Sequence, residues 1–290
     1  MGYDPAIVNA LRRILLSDIP SMAIEKVHMY QVNFKLDLRE RKPTVIYLQN
    51  TSIMQDEVLA HRLGLLPLTA DPRLFEWPGK DWSPETGTEA NTLEFSINVR
   101  CSKGAEPGEY KDSNVTTKHL VWQPKGDQTD WLGTDNPGPA QSDILINKLR
   151  PGHEMELRVF AVKGLGRDHA KFSPVATAFY RLMPSIRLTK PVTGDNALRL
   201  QKCFSPGVIQ IQDQTARVVD ERSDTCSRNV YRYPELAECV ELEKVKDHFI
   251  FTVESVGSLP PTDLVSLAWD VIIEKCDHFL TELEDSLEKK

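Results

Sequence analysis

The stretch from Phe249 to Leu287 limits what this chain can become more than any other. Phe249, Phe251 and Val253 alternate with Ile250, Thr252 and Glu254, the period of a sheet strand. Gly257 and the pair Pro260-Pro261 then stop the strand. From Asp263 the period becomes helical, with Leu264, Leu267, Ala268, Val271, Ile272, Cys276, Phe279, Leu280, Leu283 and Leu287 recurring at threes and fours. The spacing predicts a helix from Asp263 to Leu287, capped by Thr262 or Asp263 and about 37 Å long at ~1.5 Å per residue. That is roughly twice the usual helix of ~11–12 residues. Its apolar stripe is also too wide for one contact, because Leu264, Val265, Leu267, Val271, Ile272 and Ile273 occupy more than one side. One side can lie on the chain's own sheet. Another calls for a partner, since each such side chain left in water forgoes roughly 1.5–3 kcal/mol.

A chain of 290 residues, 40% of them apolar, suits one large or two ordinary domains with a proper core. The formal charge of -7 argues against a broad phosphate-binding surface and against direct sequence-specific nucleic-acid binding. The five cysteines, Cys101, Cys203, Cys226, Cys239 and Cys276, are scattered without CxxC or CxH spacing. That pattern favours reduced structural thiols in the cytosol or nucleus over a disulfide frame or a zinc site. No apolar run reaches the ~18 residues of a membrane span, and Arg12-Arg13 precede only a short apolar run, unlike a signal peptide.

Near the N-terminus, Asp4 can cap a helix beginning at Pro5, with Ile7, Val8, Leu11, Ile14 and Leu15 as its stripe and Pro20 beyond its end. Arg12 and Arg13 lie off the stripe, on a solvated face. Ala23 to Tyr30 reads as a strand. Val32, Phe34, Leu36 and Leu38 alternate with polar residues, and Thr44 to Leu48 is a second β-favouring run, so Val32–Gln49 can form a hairpin. Gln55 to Leu63 reads as a helix closed by Gly64 as a C-cap. Pro78 to Asn91 is a surface loop, and Thr92 to Cys101 and Met155 to Val162 are strands. Ser102 to Ser142 is polar and turn-rich, with Trp122 and Trp131 as anchors. Val175 to Leu188 is a further strand, and short strands such as Gly207 to Ile211 follow.

Two places invite a chemical reading. Gly164-Leu165-Gly166 follows a strand as a phosphate loop would, but the third glycine and the Gly-Lys-Ser/Thr ending are missing and Pro174 interrupts. A structural turn is the better reading. His169 beside Asp168, and His61 four residues from Glu57, lack any nucleophile placed by spacing, so neither makes an enzyme.

Four stretches in order resemble a known family, the alpha-like subunits of multisubunit RNA polymerases. They are Asn9 to Leu16 with Pro20, His61 to Leu68, His169 to Val175, and Val253 to Pro261. Within the family, Ala70 to Glu76 and Lys163 to Ala170 look most like the larger alpha-like subunit shared by eukaryotic RNA polymerases I and III. The resemblance implies a two-domain α+β fold. A dimerisation domain of antiparallel sheet and two helices, 1–50 with 177–290, is interrupted by a mostly-β domain, 51–176.

It also implies a non-catalytic assembly subunit that pairs with a smaller alpha-like subunit. The pair forms the platform for the two large catalytic subunits that transcribe rRNA, tRNA and 5S RNA in the nucleus (nucleolus and nucleoplasm), with assembly beginning in the cytoplasm. Leu11, Ile14, Leu15, Leu264, Ala268, Val271, Ile272, Phe279 and Leu283 are the expected partner interface. No catalytic residue, cofactor or metal site carries over. The alternatives are a polymerase II or archaeal-type subunit, which would bind zinc or iron, and a phosphate- or nucleotide-handling enzyme built on Gly164 to His169.

The chain departs from the family pattern in two ways. Family members carry a segment with a strand before the first motif, so Met1 is expected to lie inside a longer chain. The family also runs from the position of Gln31 directly to that of Asn50, which makes Val32–Gln49 extra. Valine codons begin GT and a glutamine codon is CAG, so the segment is compatible with a retained intron as well as with a lineage-specific hairpin. Either form is expected to protrude without function.

Overall fold

The computed structural model describes residues 1–29, 52–104, 108–132 and 136–288. The expected hairpin at Val32–Gln49 lies outside them. The chain divides into two compact units, Met1–Arg12 with Phe179–Thr252, and Arg13–Ala178 with Val253–Lys290.

Helix α1, Pro5–Ser17, begins as its sequence predicts. The Ala6 amide donates to Asp4 Oδ1 at 2.7 Å, and the Asp4 carbonyl accepts from Ile7 and Val8, so Pro5, which has no amide hydrogen to place, is the first residue of the helix. Strand β1, Pro20–Met29, follows after two residues. The unit containing it is built on a four-stranded antiparallel sheet in which β1 pairs with β4, Glu154–Leu165. Next to β4 lies β2, Leu93–Arg100, and then β3, Val121–Gln123. On β2, Leu93, Phe95, Ile97 and Val99 are buried while the residues between them are open to solvent or half so, the alternation read from the sequence. Met22, Ile24, Val159 and Ala161 join these residues in one core, closed by Leu59 and Leu63 of helix α2, Asp56–Gly64.

Helix α2 requires a correction. Gly64 is not a left-handed C-cap, since it is the last helical residue and Leu65 caps the helix in the right-handed region at φ -87°. A Cβ on Gly64 would meet the Ile24 carbonyl oxygen at 3.5 Å, an ordinary contact, so the glycine marks close packing on β1 and not a turn. Arg62, beside it, donates from Nε to the Ile146 carbonyl at 3.0 Å and from its terminal nitrogen to that of Leu145 at 2.6 Å. The helix is thereby fastened to the edge of an irregular strand.

The other unit has its own core, in which Ile186, Val192, Leu200, Val208, Ile209 and Val240 are buried together. Strand β5, Val175–Leu188, and strand β8, Val240–Ser255, form a two-stranded sheet. Between them come helix α3, Asp195–Cys203, and a hairpin of β6, Ile209–Gln212, with β7, Thr215–Val218. The hairpin turns through Asp213 and Gln214, both with positive φ, the geometry that matches the strands' right-handed twist. Strand β8 begins nine residues before the Phe249 start read from alternation. Glu241, Glu243, Lys244, Lys246 and Asp247 leave that part exposed on both faces and without a period to read.

These units sort the elements differently from a division of 1–50 with 177–290 against 51–176. Residues of β1 pair in register with β4, Val27 opposite Val159 for example, and the last helix groups with them.

Candidate dimerisation interface

The last helix, α4, runs Pro261–Glu288, 28 residues or about 42 Å at ~1.5 Å per residue. A tight turn aims it. Ser255 Oγ accepts from the Gly257 amide at 2.9 Å and donates to the Leu259 carbonyl at 2.6 Å, while Gly257 takes φ 101°, which a side chain would resist. The Val256 amide is held by the Pro174 carbonyl at 3.1 Å. This turn is what the motif Val253 to Pro261 encodes. Neither Thr262 nor Asp263 caps the helix. The Pro260 carbonyl accepts from the Asp263 and Leu264 amides, and Asp263 sits in the first turn, where its charge suits the positive end of the dipole.

Along α4 the apolar residues separate into two faces. Leu264 and Ala268 have no exposed surface, and Leu267 and Val271 are half-buried. Near them a groove of about 540 Å³ is lined by Asp18, Pro20, Trp77, Leu165, Arg167, Val271, Lys275 and His278. Lys275 is ion-paired there with Asp18. Burial alone would raise the Asp18 carboxyl, but hydrogen bonds from Lys275 and Ser17, with the Lys275 and Arg167 charges, hold it below its ordinary value. This face belongs to the chain's own unit.

Beyond Ile272 every residue to Leu287 is exposed. From Trp269 onward, Trp269, Ile273, Cys276, Leu280, Leu283 and Leu287 recur at alternating fours and threes, the spacing of a helix-pairing seam. Phe279 flanks it at 65% exposure, with Ile273 at 57% and Leu287 at 66%. The seam is turned roughly 130° around the helix from the home face at ~100° per residue.

The structure therefore splits the nine expected interface residues. Leu15, Leu264 and Ala268 are wholly buried, and Leu11 and Ile14 nearly so, leaving little surface for a partner. Val271 and Ile272 are half-buried, and Phe279 and Leu283 stand in solvent. Trp269, Ile273, Leu280 and Leu287, outside the expected set, lie on the same open side as Leu283. Their heptad spacing was the signal. It is hidden when both faces are counted as one stripe, because the home residues fill the gaps.

The loop that suggested phosphate binding is closed by packing. A Cβ on Gly166 would lie 2.2 Å from the Leu16 carbonyl oxygen, and one on Gly164 would lie 2.6 Å from the Phe172 ring. Both glycines let other parts of the chain approach. His169 is exposed, and its Nδ1 accepts from the Lys171 amide at 3.1 Å, a turn contact at the start of a short 3-10 helix.

An open apolar seam on an anchored helix is what a dimerising chain presents, and comparison with known proteins decides the family. The chain matches the RNA polymerase Rpb3/Rpb11 dimerisation domain over residues 1–276. It belongs to that family. The Rpb3/Rpb11 match takes in α1, β1, β8 and α4 as far as Cys276, so it holds Trp269, Ile273 and Cys276 of the seam and ends before Leu280, Leu283 and Leu287. Among relatives, the chain is 48% identical to subunit RPAC1 of DNA-directed RNA polymerases I and III from Bos taurus, over 98% of this chain and 80% of that one. It is 40% identical to the RPAC1 of Saccharomyces cerevisiae, over 96% and 81%. Similarity to the polymerase II subunit rpb3 of Dictyostelium discoideum is lower, 28% over 98% and 88%.

Proposed function

We propose that this chain is a non-catalytic assembly subunit of DNA-directed RNA polymerases I and III that pairs with a smaller alpha-like subunit through the outward seam of α4. The observation that carries the pairing is the exposed half-helix. At roughly 1.5–3 kcal/mol for each large side chain removed from water, Ile273, Phe279, Leu280, Leu283 and Leu287 supply several kcal/mol toward association. The greater likeness to RPAC1 than to the polymerase II subunit supports the assignment to polymerases I and III. The pair forms the platform on which the two large catalytic subunits assemble, in the nucleus, including the nucleolus, with assembly starting in the cytoplasm. In this reading the dimerisation part is 1–50 with 177–290. The segment 51–176 is inserted.

Co-expression with the small partner tests it. The expected product is a stoichiometric heterodimer, abolished by Phe279→Glu, because a carboxylate buried without a partner costs several kcal/mol. A monomer that ignores the partner would overturn the proposal.

A further inference from the structure

The seam on α4 has one charged edge. With Ile273, Leu280 and Leu287 in one repeating position and Trp269, Cys276 and Leu283 in the other, the row flanking the former is Asp270, Asp277 and Glu284. All three are exposed, and none is in an ion pair among the described residues. The opposite edge holds Ile272, Phe279 and Ser286 and has no charge. Of the nearby cations, Lys275 is already paired with Asp18 and His278 with Glu282 at 3.4 Å; Asp270 shares the home groove with them, while Asp277 and Glu284 lie beyond it.

We infer that this acidic row selects the partner: the occupant of the seam is a helix whose apolar stripe is bordered on one side by Lys or Arg at heptad spacing. The inference rests on the reading of α4 as the heterodimer seam and adds what the partner must carry. The row also acts against self-pairing. Two copies laid antiparallel bring their acidic edges together, and two laid parallel set the acidic edge against Ile272 and Phe279 with no counter-charge. A second copy of the chain is thus a poor occupant on either course, while a basic-edged helix gains on the first.

The test uses the complex with the small alpha-like subunit. In the variant Asp270→Lys, Asp277→Lys, Glu284→Lys, pairing is expected to weaken about tenfold at low salt, the sum of three modest edge pairs. Raising salt from about 50 mM to about 500 mM should close most of the gap, because exposed charges are screened. The neutral variant Asp270→Asn, Asp277→Asn, Glu284→Gln should lose less, and it decides the matter if the lysine variant does not fold. Unchanged affinity and salt dependence in both, with pairing still destroyed by Leu280→Glu and Leu283→Glu, would overturn the acidic selector and leave the seam standing. If those leucine changes also leave pairing intact, the seam itself is wrong.

Discussion

At the scale of single residues, the family motifs turn out to be about close approach and fastening. Gly166 is needed because the Leu16 carbonyl lies where a side chain would start. Gly166→Ala forces backbone apart, and its expected cost is about 2 kcal/mol or more in a denaturant titration, at the large end for one substitution. Nucleotide binding has no part in that loss, so added nucleotide should not shift the midpoint of the unsubstituted protein. Asp18 supplies a pH handle. Its folded pKa lies below the ordinary aspartate value of 3.8, so its pairing contributes stability at higher pH that is lost as pH falls through the folded value. Asp18→Asn should therefore lower the melting temperature at neutral pH and flatten the acid slope below about pH 4. An acid slope unchanged by the substitution would show that the pair with Lys275 contributes nothing. The sequence displayed these residues without their reasons, since neither the contact of Gly166 with Leu16 nor that of Asp18 with Lys275 can be seen until the fold brings distant segments together.

At the scale of elements, α1 and the strands β2 and β5 were legible because one periodicity governs each and local chemistry, such as Asp4 before Pro5, marks the ends. Helix α4 was legible in place and length but not in face. Two apolar stripes, one facing home and one outward, sum to a wide band that spacing alone cannot divide. The early part of β8 was missed because its charged residues face water on both sides, and Gly64 was misread because a glycine ending a helix can serve packing as well as conformation. The division of α4 into two faces makes a paired prediction. Ala268→Asp places a charge where no surface is exposed, and the isolated chain should lose several kcal/mol or fail to fold. Leu283→Ser, on the outward seam, should leave the isolated chain's stability within about 0.5 kcal/mol while weakening the pairing. Urea titration of each variant, alone and with the partner, reads both effects. Equal loss of isolated stability in the two would erase the distinction between the faces.

For the whole molecule, the four motifs in order carried the family, which the match over 1–276 bears out. The partition into units was less legible. A strand that pairs along its length with β4 ties β1 to the segment expected as an insert, and sequence order does not reveal such long-range pairing. In this molecule α4 keeps its first turns at home and gives its second half to a partner. Hydrogen exchange along α4, with and without the small alpha-like subunit, tests this most directly. Amides of 264–271 should be protected in both states. Those of 273–287 should exchange rapidly in the free chain, where a half-helix in water frays, and slow by about a hundredfold or more in the complex. Exchange over 273–287 that is the same in the two states would mean that the second half of α4 takes no partner.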